Sequence, residues 1–401
     1  MTSWAEAAQL FQAVDPTFTA WTADQETAHA LWSRIDNNRL LLFYPTGKGK
    51  TKTSLALMAD AGYEKVLVIA PPRTHSAWRQ DAITLDMKIT VVSVEKMRSK
   101  DFKFKRGIPI IVDEFHLLGK HNSQGFMKLD RNATGFPAII LASATPNYND
   151  TDRAYCIAHV LEPLKNLGGY LKWVYQHCET RTNPFATTPY VDGFLLHEDA
   201  ADFLVAQGYT AYIEDDAVWS EDSFDLPNHR DDWFETYGYD RYRHKMIASD
   251  MEARHRRAYT SRVDPASGLL WGDVLVELVL QLNKSVKPWL VFCRHSTIAR
   301  AVFRSLGLVS WESFLITGDT TPGEAERIKQ GFLASEIPAR VLVGTSTLAT
   351  GVDGLDKVCD QLLIFNPLEG DPSKERQLIG RVLPRGTSDR PTSVVRVNTT
   401  E

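Results

Sequence analysis

Residues 40–62 read LLLFYPTGKGKTKTSLALMADAG. LLLFYP (40–45) is a short apolar run that stops at a turn, and TSLALMADAG (53–62) has the composition of a helix closed by glycine. Between them lies TGKGKT (46–51). A glycine-rich loop between a strand and a helix presents backbone N–H groups to phosphate at the helix N-terminus. The full pattern GxxxxGK[ST] would place glycine at 44, where this chain has tyrosine; a shorter loop ending in Gly-Lys-Thr remains. Of the three lysines, Lys50 is singled out, because it precedes Thr51, whose hydroxyl can ligate magnesium, and it opens the helix. Lys48 falls at the loop tip and Lys52 in the first helical turn, where helix surface is expected. A solvated basic turn is the competing reading of the same residues.

Apolar runs recur downstream in KVLVIAP (65–71), ITVVSV (89–94), IPIIVDE (108–114) and AIILASATP (138–146), with helix-like stretches between several of them. Strand–helix alternation of this kind implies a parallel sheet covered on both faces. The pattern restarts in PWLVFCRH (288–295), SFLITGD (313–319), ARVLVGTS (339–346), QLLIFNP (361–367) and SVVRVN (393–398). The expected organisation is an N-terminal segment (1–29), a first α/β lobe (30–165), a mostly helical, charge-patterned insert (166–274) and a second α/β lobe (275–401).

The middle of the chain is patterned by charge. Nine acids face one arginine from Tyr212 to Glu235, and seven basic residues face two acids from Arg241 to Arg262. Such runs are solvated helical faces or, between two α/β units, a surface that tracks phosphates.

The 401 residues suffice for two or three domains, and 43% hydrophobic with 24% charged residues is ordinary for a globular protein. The net charge of −5 means that any nucleic-acid contact must come from local basic surface. Four cysteines, at 156, 178, 293 and 359, form no CxxC pair and no disulfide framework, which fits a reducing cytosol. Cys156 and His159 with the adjacent His177 and Cys178 suggest zinc only weakly, because adjacent ligands converge poorly on one tetrahedral ion. No apolar run approaches the roughly 20 residues that span a bilayer, and the N-terminus has no signal-peptide pattern. A cytoplasmic location with no membrane partner is expected.

IIVDEFH (110–116) is an apolar run ending in two acids and a histidine. In a nucleotide hydrolase, one carboxylate at the tip of a neighbouring strand holds magnesium and a second polarises the attacking water. Asp113 suits the first role and Glu114 the second. Either acid alone is commonly a solvated strand end; together with TGKGKT upstream they point to a nucleotide site.

Taken together, PTGKGKT, DEFH and SATP (143–146) resemble motifs I, II and III of superfamily 2 helicases and translocases. GTSTLATGVDG (344–354) resembles motif V and QLIGRVLPRG (377–386) motif VI, in the family's order. APPRTHSAWRQD (70–81), with Trp78, is similar to motif Ia of the chromatin-remodeller-like (Swi/Snf-type) branch. In the same branch, the stretch after SATP is similar to the helix that follows motif III, DLPNHR (225–230) with Tyr239 and Tyr242 to the linker between lobes, and ITGDTTPGEAERIKQGF (316–332) to the helix that precedes motif V. The compact core resembles stand-alone phage or bacterial enzymes.

The resemblance implies two RecA-like parallel-sheet lobes in tandem, with ATP and Mg2+ as cofactors. It places Thr46, Gly47, Lys48, Gly49, Lys50 and Thr51 on the phosphates and magnesium, Asp113 and Glu114 on magnesium and water, and Gln25 where relatives read adenine. Ser143 and Thr145 would couple hydrolysis to lobe movement, and Arg73, Thr74, Ser346 and Thr347 would contact the nucleic-acid backbone. Gly351, Asp353, Gln377 and Arg381 would approach the nucleotide from the second lobe. Two departures stand out. Phe115 occupies a position where the family usually has alanine, and Pro384 stands where QxxGRxxR ends, so either Arg385 replaces the missing arginine finger or Arg381 acts alone. The implied activity is an ATP-dependent DNA translocase or helicase, working as a monomer on single-stranded or duplex DNA, alongside a replication or recombination partner. The alternatives are a nucleotide-gated nucleic-acid binder with little turnover and an RNA helicase.

Overall fold

The computed structural model describes residues 2–45, 47–144, 151–162, 168–182, 189–213, 219–226, 262–264, 266–348, 354–365, 375, 378–383 and 391–398. The chain divides into two compact units, Met1–Asp216 and Ala217–Glu401.

The first unit is built on a six-stranded sheet of β1 (Arg39–Phe43), β2 (Lys65–Ile69), β3 (Lys88–Val92), β4 (Ile110–Asp113), β5 (Ile139–Ser143) and β8 (Thr210–Tyr212). The spatial order is β3-β2-β4-β5-β1-β8, and every neighbouring pair is parallel. Parallel strands need crossovers, and these lay helices on both faces, so β1, β4 and β5 are buried along their whole length. The period of two sorts their side chains. Leu41, Phe43, Ile110, Val112, Ile139 and Leu141 join one core, with α5 (Val94–Arg98), α6 (Gln124–Asp130), α7 (Thr151–Leu161), α8 (Tyr170–His177) and α9 (Ala200–Ala206). Leu40, Leu42, Val68, Ile111, Ile140 and Ala142 join the other, with α1 (Trp4–Val14), α2 (Ala23–Trp32), α3 (Lys50–Asp60) and α4 (His75–Thr84).

The N-terminal segment contributes to this second core. Ser3 and Thr22 each close a capping box at the start of α1 and α2, and Trp4, Ala7, Phe11, Ala28 and Trp32 are buried there. The Trp4 ring stacks on Trp21 at 4.1 Å and on His29 at 4.7 Å. Lys52, expected as helix surface, instead bridges three segments. Its ammonium lies 3.1 Å from Asp15 and 3.4 Å from Asp81 and over the Phe11 ring, with 21% of the side chain exposed. The N-terminal helix packs over this part of α3, which turns a surface position into a tie.

The second unit repeats the plan with β9 (Ser220–Phe224), β12 (Trp289–Phe292), β13 (Glu312–Ile316), β14 (Arg340–Gly344), β15 (Gln361–Ile364) and β16 (Ser393–Val397), in the order β13-β14-β12-β15-β16-β9. These strands are likewise parallel. α10 (Gly272–Asn283) and α11 (Ser296–Gly307) cover one face, and α12 (Pro322–Ala334) packs on the other. The ten strands expected from apolar runs are all present. Two further strands, β8 and β9, come from the segment expected as a mostly helical insert, and each extends one of the two sheets at its edge. β8 has three residues and β9 reads SEDSF, so neither leaves an apolar run to find. The same segment also holds α8, α9 and two antiparallel pairs, β6 (Cys178–Arg181) with β7 (Tyr190–Phe194) and β10 (Val263–Asp264) with β11 (Leu269–Leu270). Of the charge-patterned stretch, residues 214–218 and 227–261 lie outside the described residues.

All four cysteines are buried free thiols, and among the described residues no cluster of three or more acidic, histidine or cysteine side chains could hold a metal ion. No described helix is long and apolar enough to cross a membrane.

Candidate nucleotide site

Three adjacent strands of the first unit, β1, β5 and β4, end side by side. Register places Phe43 beside Ser143 and Asp113 beside Ala142, and the Tyr44 amide donates to the Ser143 carbonyl at 3.3 Å. Ligand sites of parallel sheets form at these carboxyl ends. The loop after β1, the acids after β4 and Ser143 at the end of β5 are therefore neighbours by topology.

The loop turns on two left-handed glycines, Gly47 (φ 86°) and Gly49 (φ 80°). Gly49 is also the N-cap of α3, with no side-chain cap bond and no acid in the first turn. The helix thus starts without a side-chain cap or an acid of its own on its first amides. A Cβ at Gly49 would collide with Gln25 Nε2. Gln25 is buried. Its Oε1 accepts from the Thr22 amide at 2.9 Å and its Nε2 donates to the Lys48 carbonyl at 3.4 Å, so the side chain braces the loop backbone. Lys50 opens α3, and its ammonium donates to the carbonyls of Tyr44 at 3.0 Å and Pro45 at 3.3 Å. Thr51 is the next helical residue and half-buried.

Tyr44, at the position where the full loop pattern has glycine, is fully buried, and its hydroxyl donates to the Asp24 carbonyl at 3.1 Å. Burial holds its ionisation far above the usual phenol range. The side chain points into the core beneath α2, so the loop loses no room to it.

Asp113 ends β4 and is buried. Its Oδ1 accepts from the Glu114 amide at 3.0 Å and its Oδ2 from the Trp78 indole at 3.1 Å. Burial first, and the adjacent Glu114 charge second, push its carboxyl up to about 6, against the opposing field of Lys50 and the two hydrogen bonds. Glu114 takes a left-handed backbone (φ 50°, ψ 55°), a conformation costly for a residue with a side chain. Its Oε2 is buried without a hydrogen-bond partner, 3.3 Å from His116 Nδ1. Phe115, unlike the alanine usual in the family, is buried in the first core, where it fills space between the sheet and its helices.

Arg73 and Thr74 form a single 3-10 turn, Pro72–Thr74, just ahead of α4. Thr74 Oγ1 donates to the Pro71 carbonyl at 2.9 Å, and partial burial lowers the Arg73 pKa. In the second unit, Ser346 is exposed and Thr347 half-buried just beyond β14, and Arg381 is buried. Thr46, Thr145, Gly351, Asp353, Gln377 and Arg385 lie outside the described residues. The first unit therefore brings together Gln25, Gly47, Lys48, Gly49, Lys50, Thr51, Asp113, Glu114 and Ser143. Sequence reasoning missed the direct contact of Trp78 with Asp113 and the buried role of Tyr44. A tryptophan 35 positions away carries no local signal of such a bond.

The sequence profile of the helicase conserved C-terminal domain matches residues 272–386. No curated protein matches the chain significantly in sequence. Among solved structures, S. cerevisiae Dbp5 bound to RNA and ADP BeF3 aligns over 100% of this chain and 90% of its own, at 15% identity and a TM-score of 0.56. The Sulfolobus solfataricus SWI2/SNF2 ATPase core, in complex with dsDNA, covers 95% of this chain and 88% of its own at 13% identity and a TM-score of 0.42. The same core without DNA covers 95% and 86% at 12% identity and 0.42. The likeness of fold is carried by the first of these. The chain thus has two tandem parallel-sheet lobes of the RecA-like kind, and residues 272–386 of the second carry the helicase conserved C-terminal domain.

Proposed function

We propose that this protein is an ATP-dependent DNA translocase or helicase. The observation that carries the proposal is the convergence, at the ends of three adjacent strands, of an uncapped glycine-turned helix start, Lys50 and the buried Asp113–Glu114 pair. The residues fit a magnesium nucleotide. The left-handed Gly47 and Gly49 leave the start of α3 without a side-chain cap, Glu114 Oε2 is a buried acceptor with no hydrogen-bond partner, and Asp113 is a buried carboxylate with one bond on each oxygen.

In this reading the amides of Gly47–Thr51 and the Lys50 ammonium bind the phosphates of ATP, and Thr51 and Asp113 hold Mg2+. The ion, when bound, neutralises charge that develops on the phosphates. Glu114 accepts the proton of the attacking water. Its backbone strain fits a side chain held for chemistry. Gln25 fixes the loop and reaches the adenine side. The family resemblance assigns to Arg381 or Arg385 the stabilisation of charge on the transferring group, an effect of roughly 10³–10⁵ in related systems, and to Gly351, Asp353 and Gln377 a role in nucleotide binding. Arg73, Thr74, Ser346 and Thr347 grip the backbone, while Ser143 and Thr145 relay the state of the phosphates. The protein acts in the cytoplasm as a monomer, with a replication or recombination protein as partner.

DNA is favoured by the remodeller-like motif Ia, APPRTHSAWRQD. An RNA helicase is the second reading, favoured by the fold likeness to RNA-bound Dbp5. ATPase rates with single-stranded, duplex and forked DNA and with RNA, followed by strand displacement, test the proposal. Stimulation by DNA supports it, stimulation by RNA alone selects the second reading, and nucleotide-dependent nucleic-acid binding without turnover leaves a gated binder.

A further inference from the structure

The geometry points to Trp78 as a positioning residue for the Asp113 carboxylate, required for Mg2+-dependent nucleotide binding although it touches neither ion nor nucleotide; this rests on the nucleotide-site reading above. Trp78 is fully buried in α4, and its indole N–H donates to Asp113 Oδ2 at 3.1 Å. The other oxygen accepts the Glu114 amide at 3.0 Å. One donor on each oxygen fixes the plane of the carboxylate about its last torsion and leaves each oxygen one lone pair for a further partner. A terminal sp³–sp² torsion is otherwise soft, so the plane would turn if one donor were lost.

The indole is itself held in place. Two turns of α4 carry Trp78 and Asp81, and Asp81 pairs at 3.4 Å with Lys52 of α3, the helix that Lys50 opens. The same helix therefore braces the phosphate-loop helix and the metal carboxylate. A hydrophobic side chain of equal size would fill the core equally well, but it would leave a buried carboxylate oxygen without its donor.

The test separates the hydrogen bond from the packing. 3-Benzothienylalanine, which has sulfur in place of the indole N–H, is introduced at position 78 alone, with Trp78→Phe as the genetic counterpart. Affinity for a fluorescent ATP analogue is measured with Mg2+ and with EDTA, and melting temperature is followed. We expect Mg2+-dependent affinity to fall by about 10-fold, the size of one charge-assisted hydrogen bond, with EDTA affinity changed less than about 2-fold. In an Asp113→Asn background the isostere should have no further effect on the Mg2+ difference. Equal losses with Mg2+ and EDTA, persisting in Asp113→Asn, would show a packing role and overturn the proposal, as would unchanged or tighter Mg2+ affinity. A wild-type protein with no Mg2+-dependent nucleotide affinity would overturn the site reading itself.

Discussion

The Lys50 ammonium lies 3.0 Å from the carbonyl oxygen of Tyr44, the residue that breaks the loop pattern. Only the backbone of residue 44 faces the loop; its ring is buried and tied to Asp24. That is why tyrosine can stand where glycine is expected. The first prediction concerns the ammonium. Lys50→Ala should weaken Mg2+-ATP binding by about 10- to 100-fold, the worth of hydrogen bonds to a charged group, and reduce hydrolysis at least as much. Titration calorimetry and a phosphate-release assay check this, and full-rate hydrolysis would refute the assignment.

Gly49 is constrained twice, by φ 80° and by Gln25 Nε2, which a Cβ would strike. Gly49→Ala should cost about 1 kcal/mol or more in stability, from backbone conformation alone, and displace Gln25 from the Lys48 carbonyl. Adding Gln25→Ala should relieve the collision but not the dihedral cost, so the double variant recovers part of the loss in a urea melt.

Asp113 has a folded-state carboxyl raised to about 6. Between the ordinary carboxylate range and that value the folded chain binds the proton that the unfolded chain has released. The cost to folding therefore grows as pH rises through this window and is complete above it. Asp113→Asn lacks this cost. Its stability relative to wild type should rise by about 1–3 kcal/mol between pH 4 and pH 8, measured by denaturation without nucleotide. A pH-independent difference would sink the argument.

Lys52 ties Asp15 to Asp81, which burial alone would push toward its neutral form. Lys52→Ala should lower stability by about 1 kcal/mol and loosen the N-terminal helix. Proteolysis near Asp15 would report the second effect, and a fully protected N-terminus would count against it.

Much of this site is legible in the order of residues. Each lobe's strands are apolar runs because crossover helices cover both sheet faces, and the glycine loop and the paired acids are local patterns with local chemistry. β8 and β9 were not legible, because an edge strand needs only backbone pairing and carries no apolar signature. Lys52 was misread for a related reason. Its surroundings come from Asp15 and Asp81, which are distant in sequence or on another helix.

The sequence by itself marked ten of the strands, the place where the loop turns, and Lys50, Thr51, Asp113 and Glu114 as the candidates for the chemistry; these depend on periodicity and on conformations confined to a few neighbouring residues. Only the tertiary structure decided that Tyr44 faces the core, that Gln25 braces the loop, and that Trp78 holds Asp113. Those are contacts between chain segments brought together by sheet order and helix packing, and no local rule encodes the distance between them.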